Sequence, residues 1–273
     1  MAKRADLDLA TADGQDRYVP SEARDILSAG HEGVYEWAVA NLVREGTRFL
    51  DLGCGTGYGA GLVAGAGGTY DGADGSPAAI DYARANYDRP GVRFFVADLM
   101  ERLPAELEPR SYDVVFSSEV LEHLDDPFAF VGTMVDFLRD DGTAFVGTPN
   151  RLWSKDNMPN GSLLAVSHVM EFTPPALVAL LQTGFHEVTL MHRVFPAEAI
   201  TSTVAPAGGP PLVRGAKAFA REVVPAGVKD RLARRRSGKE WTPADIEWVA
   251  PGDSRLDPAR DVGLAAVCRG PRR

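Results

Sequence analysis

The stretch RFLDLGCGTGYGA, Arg48 to Ala60, sets four alternate glycines, Gly53, Gly55, Gly57 and Gly59, behind an apolar run that carries Asp51. Glycines at this spacing let a chain turn sharply out of a strand and bring backbone N–H groups close to a ligand at a helix start. A dinucleotide, a nucleotide phosphate and S-adenosylmethionine are all held by such turns. Gly55-x-Gly57-x-x-Ala60 also fits the dinucleotide fingerprint. Three carboxylates narrow the choice. Asp51, two residues ahead of Gly53, suits a ligand with a positive amino group and repels a pyrophosphate. Asp74 closes the next apolar run, TYDGAD, where a carboxylate can accept from both ribose hydroxyls. A nicotinamide enzyme wants an acid there too, so Asp74 does not discriminate. Asp98, in FFVADLM, is placed to accept from an exocyclic adenine amine. Each acid ends a predicted strand, on the edge where open α/β sheets bind ligands. Cys54 has no base among its neighbours and reads as a small loop residue, not a nucleophile.

The elements that must position these acids follow a rhythm. From Thr47 onward the short apolar runs RFLDL, TYDGAD, VRFFVAD, YDVVFSS and GTAFVGT alternate with the amphipathic stretches YGAGLVAGA, SPAAIDYARANY and DPFAFVGTMVDFLRD. This predicts an α/β fold, a mostly parallel sheet with helices on both faces. Ahead of it, HEGVYEWAVANLVR carries Val34, Trp37, Ala38 and Leu42 at helical spacing. Residues 151–172 read as a long irregular connection. PPALVALLQTGF reads as a helix ended by Gly184, HEVTLMHRVF as a strand, and VGLAAVC (Val262 to Cys268) as the terminal strand. Residues 196–260, rich in Pro, Gly, Ala and Arg, read as a lid insertion without a sheet strand. The expected division is a cap over 1–46, a core over 47–195, the insertion over 196–260, and a terminal strand with tail over 261–273.

A chain of 273 residues can bury one sizeable core, and 45% apolar with 25% charged residues is ordinary for a soluble protein. No stretch approaches the roughly 18 apolar residues of a membrane span. The first residues lack the apolar centre of a signal peptide, and two cysteines are too few for a disulfide framework; a reducing, cytoplasmic setting is expected. A net charge of −9 argues against a nucleic-acid surface. The local exception lies between Pro211 and Lys239, with nine basic residues against Glu222 and Asp230. Solvent-facing lid helices account for it; a contact with a phosphorylated, nucleotide-linked or carrier-bound ligand, or with an acidic surface, is the sharper reading.

In order and spacing, D-L-G-C-G-T-G, Asp74, A-D-L, YDVVFSSEVLEHLDDP and LRDDGTAFVGTPN resemble a class I S-adenosylmethionine-dependent methyltransferase. The resemblance runs from about Thr47 to Val194. It is nearest to the type 11 small-molecule branch, which includes ubiquinone-type O-methyltransferases and bacterial sugar and antibiotic methyltransferases. HVMEFTPPALVALLQTGF resembles that branch too, as does RYVPSEARDILSAGHEGVYEWA, which looks like a front helix covering the cofactor. The resemblance implies a Rossmann-like seven-stranded sheet with an antiparallel terminal strand, an N-terminal helical cover and a C-terminal lid insertion. It implies that Gly53 and Gly55 pass beneath the methionine portion and that Asp74, with Gly75 beside it, holds the ribose. Asp98 and the Leu99 backbone would hold the adenine. Ser117 and Ser118 would face the methionine amine and the acceptor, and Asp51, Tyr18 and His31 complete the implied cofactor set.

Methyl transfer from a sulfonium is an in-line displacement in which positioning supplies much of the acceleration. A hydroxyl acceptor also needs proton removal by a nearby imidazole or carboxylate. Glu119, Glu122 and His123 follow the fourth strand, and His168 and Glu171 lie in the connection SHVMEFT. His123, His168 and Glu119 are the catalytic candidates, while His186 and His192 read as surface or core imidazoles. Magnesium on Glu119, Glu122, Asp125 and Asp126 is left open, although acidic loops are usually solvated or cap the next helix. The expected activity is O-methylation of a small molecule, a sugar or a secondary metabolite such as an antibiotic precursor. N-methylation, a protein or nucleic-acid acceptor, a non-catalytic cofactor-binding protein and a nicotinamide oxidoreductase are the alternatives. Base-amine methyltransferases tend to carry an Asn/Asp-Pro-Pro-aromatic run after strand four, where this chain has Ser117-Ser118-Glu119-Val120. A homodimer is also left open.

Overall fold

β1 (Arg48–Leu52), β2 (Thr69–Asp74), β3 (Val92–Val96), β4 (Tyr112–Ser118) and β5 (Leu138–Pro149) occupy the five predicted apolar runs. The computed structural model describes residues 26–157, 168–199 and 240–273. In it, β6 (Phe185–Val194), β7 (Glu247–Val249) and β8 (Asp261–Pro271) complete one sheet of order β3-β2-β1-β4-β5-β8-β6-β7. β1 to β5 pair in parallel, β8 runs antiparallel between β5 and β6, and β7 is antiparallel on the outer side of β6. The chain steps outward from β1 to β3 and then returns to β4 on β1's other side. The loops leaving β1 and β4 therefore open beside one another on the carboxyl edge, at the topological switch point.

Among the described residues six α-helices flank the sheet: α1 (Ile26–Leu42), α2 (Ala60–Gly65), α3 (Pro77–Tyr87), α4 (Pro127–Phe137), α5 (Arg151–Asn157) and α6 (Pro174–Leu181). Three of them start alike: Ser76, Asp126 and Thr173 each accept a backbone N–H from the first turn, ahead of a proline that needs none. The central strands are apolar on both faces because both are covered. Phe49, Phe116 and Phe145 pack with Val34, Tyr35 and Ala38 of α1, Val63 of α2 and Ile80 of α3. On the opposite face Leu50, Leu52, Val115 and Val146 meet Phe130 and Met134 of α4 and Leu177 and Leu181 of α6. A third cluster, Ile26, Trp153, Phe195, Trp241 and Ile246, ties the starts of α1 and α5 to the carboxyl end of β6.

Three expectations are corrected. The 196–260 segment does contribute a strand, Glu247–Val249, so the sheet has eight strands among the described residues; three residues at an edge are too few to show a period. The 151–172 connection opens with α5 and is pinned by an Asn150–Phe172 bridge. Gly184 is not a left-handed cap, since α6 ends at Leu181 with Gln182 still in right-handed geometry. Its missing side chain instead admits α4: a Cβ there would stand 2.4 Å from Val131 Cγ1. Tyr18 and the basic stretch from Pro211 to Lys239 lie outside the described residues.

Candidate active site

The glycine turn is built by two strands. As the chain leaves β1, the Gly53 and Cys54 N–H groups both donate to the Ala73 carbonyl of β2, at 2.8 and 3.1 Å. Gly53 has φ of 87°, and a Cβ on it would lie 2.2 Å from Val120 Cγ2, so the loop after β4 closes directly on this residue. Gly55 has φ of 53° and faces open space, with no heavy atom within 4 Å of the position its Cβ would take. A left-handed backbone beside an open space is what close approach of a ligand requires.

Asp51 and Asp74 frame that space. Asp51 is fully buried; its Oδ2 accepts from Tyr35 Oη of α1 at 2.7 Å and from Tyr70 Oη of β2 at 2.6 Å, while Oδ1 has no hydrogen-bond partner. Burial pushes the Asp51 carboxyl up to about 7, against the two phenols that favour its ionised form, with Asp74 adding to the rise. A buried carboxylate with one bare oxygen fits an ammonium group. Asp74 accepts from Gly55 N–H on Oδ2 and from Ser76 N–H on Oδ1, both at 2.9 Å. Asp98 is exposed and accepts from Met100 N–H at 2.9 Å, with Leu99 buried behind it. Gly75 is exposed on the β2 side, where its Cβ would lie 3.8 Å from the Ala97 carbonyl oxygen. Ser117 Oγ, at the end of β4, is buried without a partner.

The rim after β4 carries the other candidates. Glu119 sits at φ of 58°, rare for a side chain of its size, and is held there by its N–H on the Gly147 carbonyl at 2.9 Å. Its Oε1 accepts from Arg193 Nη2 of β6 at 2.9 Å. Burial opposes ionisation of Glu119, but Arg193, His31 and His168 hold its pKa below the usual range. Glu122 is fully buried and accepts from Thr148 Oγ1 at 2.9 Å, with Oε1 unpartnered. Burial first, then the charge of Glu119, raises its pKa well above normal. The Glu122 carbonyl accepts from Val169 and Met170 N–H at 2.8 and 3.2 Å, which pins the returning connection onto the rim. There the His168 and His123 rings meet edge to face at 4.8 Å between centroids. Burial and then His123 lower the His168 pKa, leaving a neutral imidazole in reach of the rim.

Glu119, His123, His168 and His31 thus come together, and Glu171 backs them: its Oε2 accepts from Arg151 at 3.0 Å and Ser154 at 2.7 Å of α5, while its Oε1 stands 3.9 Å from His168 Nδ1. Asp126 caps α4 by accepting from Phe128 and Ala129 N–H, and Glu119 pairs with Arg193, so these two are committed elsewhere than to magnesium. His186 is exposed, and His192 is buried against Asp261 with Nδ1 2.7 Å from Oδ2. Sequence reasoning missed Arg193, Tyr35, Tyr70 and Thr148. Tyr35 carried a faint signal, one turn of α1 from His31 on the predicted helix. A polar side chain within an apolar strand, as at Arg193 and Thr148, was the other available sign. Beside the rim, an apolar groove of about 530 Å³ runs between α4 and α6, lined by Asp125, Phe128, Met170, Phe172 and Leu180.

The family described as "Methyltransferase domain" matches residues 50–146. A Mycobacterium tuberculosis protein named "Probable S-adenosylmethionine-dependent methyltransferase" is 30% identical over 231 residues, 80% of this chain and 76% of that protein. A Mycolicibacterium smegmatis protein of similar name is 34% identical over 66% of each chain, just short of two thirds of its length. The ubiquinone biosynthesis O-methyltransferase of Burkholderia ambifaria is 34% identical over 42% of this chain and 50% of its own. Among solved structures, Haemonchus contortus phosphoethanolamine N-methyltransferase 2, bound to phosphomonomethylethanolamine and S-adenosylhomocysteine, shares the fold. It superposes with a TM-score of 0.61 at 15% identity, over 97% of this chain and 57% of that one. The chain belongs to the S-adenosylmethionine-dependent methyltransferases.

Proposed function

We propose that the protein methylates an oxygen atom of a small molecule, of the sugar or secondary-metabolite class, in the cytoplasm. The observation that carries this reading is the convergence of Glu119, His123 and His168 on the loop that closes against Gly53. When bound, S-adenosylmethionine supplies a methyl group on a sulfonium, open to in-line displacement. Asp51 Oδ1 would hold its ammonium, Asp74 its ribose hydroxyls, and Asp98 with the Leu99 N–H its adenine; the Gly55 backbone leaves room for the methionine chain. His31 and the unpartnered Ser117 Oγ complete the cofactor side.

On the acceptor side His168 is neutral, so an imidazole nitrogen can take the hydroxyl proton as the oxygen attacks. Glu119, ionised and acting on His168, stabilises the imidazolium that results. His123 packs on the same ring and orients it. The apolar groove beside the rim receives the acceptor's hydrophobic body, since Asp125 and Met170 on its wall stand two positions along the chain from His123 and His168. The test is incubation with methyl-labelled S-adenosylmethionine and fractionated bacterial metabolites. Label in an alkali-stable methyl ether of a small molecule is expected. Label recovered only as an amine, or only in protein or nucleic acid, contradicts the proposal.

A further inference from the structure

We propose that Arg193 is the positioning residue of the rim: it holds the Glu119 carboxylate in the field of both His31 and His168, and so couples α1, which carries Tyr35 against Asp51, to the imidazole that takes the acceptor's proton. This inference rests on the oxygen-methylation reading and deepens it by naming the residue that keeps the partner of His168 in place. β6 stands three places from β4 in the sheet, with β5 and β8 between them, so a long side chain laid across the strand ends is needed to join the two. Arg193 has that path because of Gly263, its partner across the β6–β8 ladder: a Cβ there would lie 2.6 Å from Arg193 Nε. The side chain passes over the glycine, and Nη2 donates to Glu119 Oε1 at 2.9 Å. The strand end that carries Arg193 is fixed on both sides. His192 Nδ1 stands 2.7 Å from Asp261 Oδ2, which also accepts from Asn150 Nδ2 at 2.6 Å, and Arg260 Nε donates to the Phe195 carbonyl at 2.8 Å.

Fold stability alone does not account for this arrangement. The Arg193 side chain is only 8% exposed, its Nε has no hydrogen-bond partner, and Glu119 occupies a left-handed backbone at φ of 58°. Apolar residues often replace a buried ion pair without loss of stability, whereas a bare buried N–H and a strained backbone are both unfavourable. Such features gather where placement matters to function. What the pair places is a charge. Burial alone would neutralise Glu119; Arg193 heads the groups that oppose this, with His31 and His168 adding to it. In return the Glu119 carboxylate, with Glu171, favours the cationic form of His168, against burial and His123. The charged groups that face Glu119 are thus Arg193 from β6, His31 from α1, His168 from the returning connection and Glu122 from its own loop. Without Arg193 burial prevails and Glu119 takes up a proton. Both imidazoles then lose the charge that favours their cations.

The experiment is a pH titration of the full-length protein, isotope-labelled at the histidine nitrogens and followed by NMR, in the parent, Arg193→Gln, Arg193→Lys and Gly263→Ala. In Arg193→Gln the His31 and His168 signals should titrate lower by about half a pH unit or more, while the signal of His186, exposed on β6, stays where it was. Gly263→Ala keeps every charge but pushes the guanidinium off its path, and should shift both signals the same way. Arg193→Lys, which restores the charge, should return at least half of the loss. Removing a cation with Glu119 still ionised would raise both titrations, so the direction separates action through Glu119 from a direct effect. Imidazoles that titrate unchanged or higher in Arg193→Gln, or a lysine variant shifted as far as the glutamine one, overturn the inference. Should Arg193→Gln fail to fold, Gly263→Ala decides by the same criterion. The titration needs neither acceptor nor cofactor, so a negative result strikes the role of Arg193 alone. Label recovered only on amines, with the shifts present, removes the oxygen-methylation reading and leaves the Arg193–Glu119 coupling standing.

Discussion

Asp51 concentrates the electrostatics of the proposed cofactor side in one residue. Tyr35, Tyr70 and Asp74 face it, and burial sets its carboxyl near 7 instead of the ordinary value near 4. Between those values the folded chain holds a proton that the unfolded chain has released. Stability from this group is therefore full at acid pH and declines as pH rises toward 7, levelling off above. Asp51→Asn should remove the decline, gaining roughly 3 kcal/mol relative to the parent between about pH 5 and pH 8 in urea unfolding. A bound ammonium favours ionised Asp51, so cofactor affinity should climb over the same window in the parent and stay flat in the variant. At Gly53 the constraint is steric. Gly53→Ala meets Val120 and a left-handed backbone, and should abolish cofactor binding measured by calorimetry while the far-ultraviolet circular dichroism is retained. The glycines and the three acids were legible because each stands at the end of an apolar run. Asp51's tyrosine partners were not, since nothing local links residues 35 and 70 to residue 51.

At the scale of elements, the rim depends on β6 as much as on the loop after β4. Arg193 crosses from β6 to Glu119, and both side chains are largely buried. Arg193→Leu strands a carboxylate in the interior, and should cost about 3 kcal/mol in denaturant unfolding. The α4–α6 contact is independent of the site. Gly184→Ala drives a methyl against Val131 and should cost about 1–3 kcal/mol, with the rate per folded molecule unchanged in the labelled-methyl assay. The central strands β1, β4 and the carboxyl half of β5 could be read from sequence because burial on both faces makes each largely apolar, and edge strand β3 because Val92 and Phe94 are buried on either side of exposed Arg93. β7 could not, being three residues on an edge, and α5 was hidden in a polar stretch whose helix is stabilised by Trp153 and its neighbours rather than by its own periodicity. Gly184 shows the reverse error, a glycine after a helix that serves packing instead of capping.

For the whole molecule, the order of strands explains why residues from β1, β2, β3, β4 and the 168–171 connection meet at one edge. The parallel pairs send every carboxyl end the same way, and the reversal at β1 opens the crevice between the loops after β1 and β4. No helix among the described residues is long and apolar enough to cross a membrane. The strands and the turns that carry Asp51, Asp74 and Asp98 were therefore legible from order and spacing, as strand ends are local features. The proposed acceptor side was not, because Glu119, His123 and His168 come from segments far apart in the chain. The most direct test of the account is calorimetric titration of the purified protein with S-adenosylmethionine and with NAD, repeated on Asp74→Ala. The account predicts one S-adenosylmethionine per chain, no heat from NAD, and a loss of at least ~100-fold in Asp74→Ala, where two charge-assisted hydrogen bonds disappear. Binding of NAD without S-adenosylmethionine, or an Asp74→Ala variant that binds like the parent, would contradict it.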